Sequence, residues 1–104
     1  MIIKGNFTTR EITIDGIVLD PAPSQRLRNH SPDGYNWSYN GSGPAQLALA
    51  LVLELSKDKF IAIKWYQEFK EKFIATLPKG DFECDGIAFL DWIATKIIKK
   101  EVIT

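Results

Sequence analysis

From Pro44 to Leu55 the chain reads Pro-Ala-Gln-Leu-Ala-Leu-Ala-Leu-Val-Leu-Glu-Leu, with Gln46 and Glu54 as the polar exceptions. A helix that is apolar on every side must be surrounded by other elements. This segment therefore predicts the central core helix of a small domain. It is far shorter than the roughly 20 residues needed to cross a bilayer. A chain of 104 residues supports one core, so residues 1–104 are expected to form a single domain. Pro44 suits the first helical position, where its missing N–H is no loss, with Gly43 or Ser42 before it as cap. First-turn amides would then point back into a loop carrying Trp37, Tyr39, Asn40 and the Ser42 hydroxyl. Such a place is ready to hold an anion or a polar ring.

Ahead of that helix the chain reads first as strand and then as loop. Ile12 and Ile14 alternate with Thr13, Asp15-Gly16 is a dipeptide favoured in tight hairpins, and Ile17-Val18-Leu19 returns. Ile2-Ile3-Lys4 predicts a third strand, joined through the polar Asn6 to Arg10 stretch. Asp20 to Gly43 is rich in Pro, Ser, Asn, Gly and Asp and reads as one long loop, of a length often tied to function. After the apolar helix, Ser56 is placed to cap a second one, Lys57 to Leu77, with Ala62, Trp65, Tyr66, Phe69, Phe73 and Leu77 at helical spacing. Its opposite face carries Lys64, Glu68, Lys70, Glu71 and Lys72, where the pairs Lys64/Glu68 and Glu68/Lys72 mark a solvated surface. Pro78 and Gly80 end this helix. Phe82-Glu83-Cys84 offers a short strand, and Asp85 or Gly86 begins a third helix with the stripe Ile87, Leu90, Ile93, Ala94 and Ile97. Lys96, Lys99 and Lys100 would complement its C-terminal dipole. The expected fold is α+β: a small antiparallel sheet, either an N-terminal hairpin or a three-stranded meander, packed against three helices with the Pro44 helix at the centre.

Several function classes are excluded or disfavoured. Thirteen basic residues balance thirteen acidic ones, so the field of a general nucleic-acid binder is absent and no strong nucleic-acid binding is expected. Cys84 is the only cysteine, which excludes an internal disulfide or a cysteine-built zinc site and fits a reducing cytoplasm; it reads as a small buried hydrophobe. Met1-Ile2-Ile3-Lys4-Gly5 lacks the long apolar run of a signal peptide, so a cytoplasmic location is expected. No grouping of His, Cys and carboxylates has metal-ligand spacing, and neither a metal nor a cofactor is expected. Ser42-Gly43-Pro44 is shorter than a P-loop, lacks its Lys-Ser/Thr ending and lacks the spacing of a dinucleotide fingerprint. His30, the only histidine, has Ser31 beside it and Ser42 further on but no identifiable orienting carboxylate. Asn29-His30-Ser31-Pro32 reads more naturally as turn chemistry than as a catalytic group.

The run Leu27-Arg28-Asn29-His30-Ser31-Pro32-Asp33-Gly34-Tyr35-Asn36-Trp37-Ser38-Tyr39-Asn40-Gly41-Ser42-Gly43-Pro44-Ala45-Gln46-Leu47-Ala48-Leu49-Ala50 resembles the signature of a small family, domain of unknown function 6166, of prophages, plasmids and other mobile elements. Weaker matches are the Asp15-Gly16 hairpin, Tyr66-x-x-Phe69-Lys70 and Phe82-x-Cys84. Where the family pattern has Trp-Gly-Tyr-Gly-Gly-Ser-Gly-Pro, this chain has Ser38 and Asn40, and Asn tolerates a left-handed backbone. The resemblance implies a whole-domain relationship and a mobile-element setting, and carries no activity.

The residues themselves suggest a ligand set of Arg28, His30, Trp37, Tyr39, Ser42, Gly43 and Gln46. Arg26 and Arg28, with His30, would present positive charge from one side of an extended loop. Trp37 and Tyr39, two apart, form a stacking pair if their segment is extended, or else anchor the loop on the core. Gln46, a buried amide, must find partners, either in the loop or in a ligand. The expected function is non-enzymatic binding of a small anionic molecule, of nucleotide type, at the helix start. The alternative is a protein-protein module that occupies a host protein through the loop from Pro21 to Asn40.

Overall fold

The computed structural model describes residues 1–103, with side chains through Ile97. Four strands, β1 (Ile2–Gly5), β2 (Ile12–Ile14), β3 (Ile17–Val18) and β4 (Phe82–Asp85), form one antiparallel sheet in the order β3-β2-β1-β4. The expected meander is thus present, and the Phe82 segment joins it as a fourth strand along the free edge of β1. Asp15 and Gly16 link β2 to β3, both at positive φ (49° and 80°), as a tight turn matching the strand twist requires. Ile3 pairs with Ile14 on one side and Cys84 on the other, and Ile3 and Ile12 face the core. Cys84 is half-buried among these apolar side chains, and burial followed by the Asp85 charge pushes its thiol pKa up.

The helices are α1 (Ala22–Leu27), α2 (Ser42–Ser56), α3 (Lys59–Phe69) and α4 (Ile87–Ile103). Helix α2 is the expected central element: every residue from Gly43 to Val52 is buried, and α1, α3 and α4 all pack on it. Each fully buried leucine there, such as Leu47, Leu49 or Leu51, contributes about 1.5–3 kcal/mol of apolar burial. The fold is α+β with four α-helices among the described residues, one more than expected, because α1 forms inside the presumed Asp20 to Gly43 loop.

Local departures from expectation have identifiable causes. Ser56 does not cap α3; the Asp58 carboxylate does, accepting from the N–H groups of Phe60 and Ile61 at 2.8 and 3.1 Å. The second helix is not α-helical to Leu77 but passes at Lys70 into a π segment, Lys70–Ile74. There Phe69 and Phe73 pack with Phe89 and Trp92 at ring-centroid distances of 4.9–6.2 Å. Lys64, Glu68, Glu71 and Lys72 are solvated as expected, but their proposed pairs do not come within ion-pair distance, and Lys70 is half-buried. Among the described side chains of α4 the buried ones are Phe89 and Ile93, while Ile87 and Ala94 point to solvent. Lys96 lies over the rings of Trp65 and Trp92, at 4.5 and 4.7 Å from their centroids. The side chains of Lys99 and Lys100 lie outside the described residues. No helix among the described residues is long and apolar enough to cross a membrane.

Candidate functional site

Helix α2 begins at Ser42, not Pro44. Gly41 occupies the cap with extended backbone (φ −158°) and no side-chain cap bond, and the first intrahelical bond runs from Ala45 N–H to the Gly41 carbonyl at 3.0 Å. Pro44 is the third helical residue, a position whose N–H would have had no intrahelical partner either. Ser42 is exposed, whereas Gly43 is buried against the loop: a methyl group there would lie 2.6 Å from the Asn36 Cβ and 3.2 Å from its backbone nitrogen. Gly43 therefore serves the close approach of loop to helix and is removed from the ligand set.

Gln46 is removed for a different reason. It is fully buried, and its amide has four partners in the chain: Oε1 accepts from the N–H groups of His30 (2.8 Å) and Ser31 (3.0 Å), while Nε2 donates to Ser24 Oγ (2.8 Å) and the Arg28 carbonyl (3.2 Å). Ser24, also buried, passes its own hydrogen to the Pro21 carbonyl at 2.8 Å. An amide has two donor hydrogens and one strong acceptor oxygen, so this set leaves nothing for a ligand. One side chain of the core helix thus holds both α1 and the chain leaving it.

The expected stacking pair of Trp37 and Tyr39 is not formed. Ser38, between them, has φ +77°, so the segment is not extended and the two rings part. Trp37 is fully buried, with Nε1–H donating to the Gly80 carbonyl at 2.9 Å and edge contacts to Phe7 and Phe82 at 5.6 and 5.1 Å. Tyr39 is 47% exposed. Ser38, not Asn40, takes the left-handed conformation expected of a glycine in this turn.

Above the Trp37 ring lies a cleft of about 460 Å³ lined by Phe7, Arg10, Asn36, Ser38, Tyr39 and Lys79. The Arg10 guanidinium sits 3.7 Å from the Phe7 ring centroid and 5.7 Å from that of Trp37. Neither Arg10 nor Lys79 takes part in an ion pair among the described residues. Arg10 is itself held at φ +64° by a turn in which Asn6 Oδ1 accepts from the N–H groups of Thr8 and Thr9 and the Asn6 carbonyl accepts from Arg10 at 2.7 Å. Two of the four non-glycine residues with positive φ among the described residues, Arg10 and Ser38, therefore line this one cleft. A second cleft of about 500 Å³ is lined by Lys4, Gly5, Asn6, Glu11, Thr13, Asp81, Phe82 and Glu83. Three carboxylates against one lysine there repel an anion.

His30 and Arg28 lie elsewhere, at the end of α1. His30 Nε2 and the Tyr66 hydroxyl are 2.8 Å apart, and Gln67 Nε2 donates to the same hydroxyl at 3.1 Å. Partial burial, then the positive charges of Arg28 and Lys70, hold the imidazole pKa below its ordinary value. The expected ligand set is thus divided: Arg28 and His30 are tied through Gln46 to α1 and α2, and His30 through Tyr66 to α3, while Tyr39 faces a cleft built on the turn after β1. Arg10 and Lys79 stand outside the expected set, and Lys70 is expected only on a charged face, because loops and faces far apart in sequence bring them to these positions. The one local signal was Tyr66-x-x-Phe69-Lys70, which places Lys70 a turn beyond Tyr66. No cluster of His, Cys, Asp and Glu that could hold a metal ion occurs among the described residues.

The chain belongs to a family of unknown function (DUF6166), whose pattern it matches over residues 3–95. No curated protein and no solved structure matches it.

Proposed function

We propose that this domain is a non-enzymatic binding protein that holds a small anionic molecule bearing a flat ring, of nucleotide size, in the cleft over Trp37. The observation that carries this reading is the pairing there of two cations without carboxylate partners among the described residues, Arg10 and Lys79, with the exposed ring of Tyr39. The volume, about 460 Å³, falls within the range of small-molecule sites. A phosphate or carboxylate between the two cations gains charge-assisted hydrogen bonds, and a planar ring gains stacking on Tyr39. The left-handed backbones of Arg10 and Ser38 give the cleft walls a fixed shape, which lowers the ordering cost of binding. Nothing in the lining is a nucleophile with an adjacent base, so the reading is binding without turnover. The mobile-element setting implied by the signature, and a cytoplasmic location, belong to the same proposal.

The test is thermal unfolding with a mixture of ribonucleotides at millimolar concentration. A ligand that prefers the folded state raises Tm by mass action. The rise is expected to be larger in the wild type than in Arg10→Ala and in Tyr39→Ala, neither of which removes a fully buried side chain. An equal rise in all three proteins, or none in any, rejects the cleft as the binding site.

A further inference from the structure

A second group of unpaired cations lies around His30, outside the cleft. Arg28 has extended backbone (φ −150°, ψ 117°), and its positive charge acts on the His30 imidazole two residues on. Tyr66 and Lys70 are one helical turn apart, Lys70 being the first residue of the π segment, and share a face. The 2.8 Å contact between His30 Nε2 and the Tyr66 hydroxyl joins the two pairs, bringing Arg28 and Lys70 to bear on one imidazole from two different elements. Neither cation is in an ion pair among the described residues, and both raise the potential His30 experiences.

In one of the two neutral tautomers of His30 the Tyr66 hydroxyl donates to Nε2 while accepting from Gln67 Nε2, and the imidazole hydrogen then stands on Nδ1. That N–H has no acceptor among the described residues. The backbone under it is fixed, since the His30 N–H is bonded to the buried Gln46 oxygen at 2.8 Å.

We infer that Arg28, His30 and Lys70 form a separate site for a tetrahedral oxyanion, a phosphate or sulfate group, with Arg28 and Lys70 supplying charge and the His30 Nδ1–H a directional donor. Two positive charges beside a neutral imidazole are complementary to a group of one or two negative charges. A bound oxyanion cancels the field that opposes protonation, so it raises the proton affinity of His30, and by linkage binding tightens as pH falls. The site stands independently of the cleft over Trp37 and uses none of its residues.

His30 is the only histidine, so its Cε1–H resonance reads the site without assignment. The experiment follows that resonance against pH in the intact protein, in sodium chloride and in sodium sulfate at matched ionic strength. The expected midpoint in chloride is below 6.5, and sulfate should raise it by at least about half a unit, roughly a threefold gain in proton affinity. Arg28→Ala and Lys70→Ala, both at solvent-accessible positions, should each raise the chloride midpoint and abolish the sulfate effect, while Arg10→Ala keeps it. Equal midpoints in the two salts overturn the site, as does a sulfate shift that survives both substitutions. Repeating the titration with inorganic phosphate and with methyl phosphate separates a site for the free ion from one for an esterified group.

Discussion

The Trp37 indole N–H donates to the carbonyl of Gly80, 43 residues away, at 2.9 Å. This bond joins the loop before α2 to the turn before β4, and the ring beneath it fills the space between Phe7 and Phe82. A residue expected to meet a ligand instead joins three segments that the hydrophobic effect alone would not hold in register.

Trp37→Phe separates the hydrogen bond from the bulk of the ring. It strands the Gly80 carbonyl and leaves part of the indole volume empty, and the expected loss is about 2 kcal/mol in urea unfolding. An unchanged midpoint would show that water replaces the indole donor without cost.

Gln46→Leu should also destabilise. The substitution leaves the partly buried N–H groups of His30 and Ser31 without acceptors, at a total cost of about 1–3 kcal/mol. Amide exchange at those two residues should accelerate along with the stability loss. A leucine variant as stable as the wild type would show that the chain from Arg28 to Ser31 is not held by this side chain.

Ser38→Gly should stabilise. Serine at φ +77° bears a Cβ penalty that glycine avoids, partly offset by the greater freedom of glycine in the unfolded chain, for a net gain of about 0.5–1 kcal/mol. A lower Tm in the variant would mean that the serine side chain contributes more than its backbone strain costs.

Stability should also depend on pH through His30. Burial, then Arg28, then Lys70 place its folded pKa below 6.5, so the unfolded chain binds a proton more readily than the folded one. The contribution is therefore fully present above pH 6.5 and is lost as pH falls through the folded value, when no oxyanion is bound. His30→Asn should flatten that part of the profile. Parallel profiles for the two proteins between about pH 5 and 7.5 would place the dependence on other groups.

The apolar run of α2 and the Asp15-Gly16 turn were legible because both depend on neighbours in sequence. Helix α1 was not: Ala22-Pro23-Ser24-Gln25-Arg26-Leu27 contains a proline and little apolar pattern, and it is held by Gln46 donating to Ser24 from a helix 22 residues on. That Arg10 and Tyr39 line one cleft, and that the Lys70 charge acts on His30, likewise follows from long-range packing that no local spacing encodes. Ser38 was noted as a departure from the family pattern, but only its φ shows that the turn keeps its glycine-like shape and thereby divides Trp37 from Tyr39.

The sheet order has a consequence for synthesis. Strand β1 lies between β2 and β4, so Ile3 finds one neighbour in Ile14 almost at once and the other in Cys84 only when most of the chain has been made. Until then a nascent chain carries a short hairpin with an open hydrogen-bonding edge, the kind of edge that recruits strands from other molecules. Completion of the sheet is thus a late step that requires closing a long loop. A cell making this protein quickly should meet its aggregation hazard during translation, before the β4 segment is available to cover that edge.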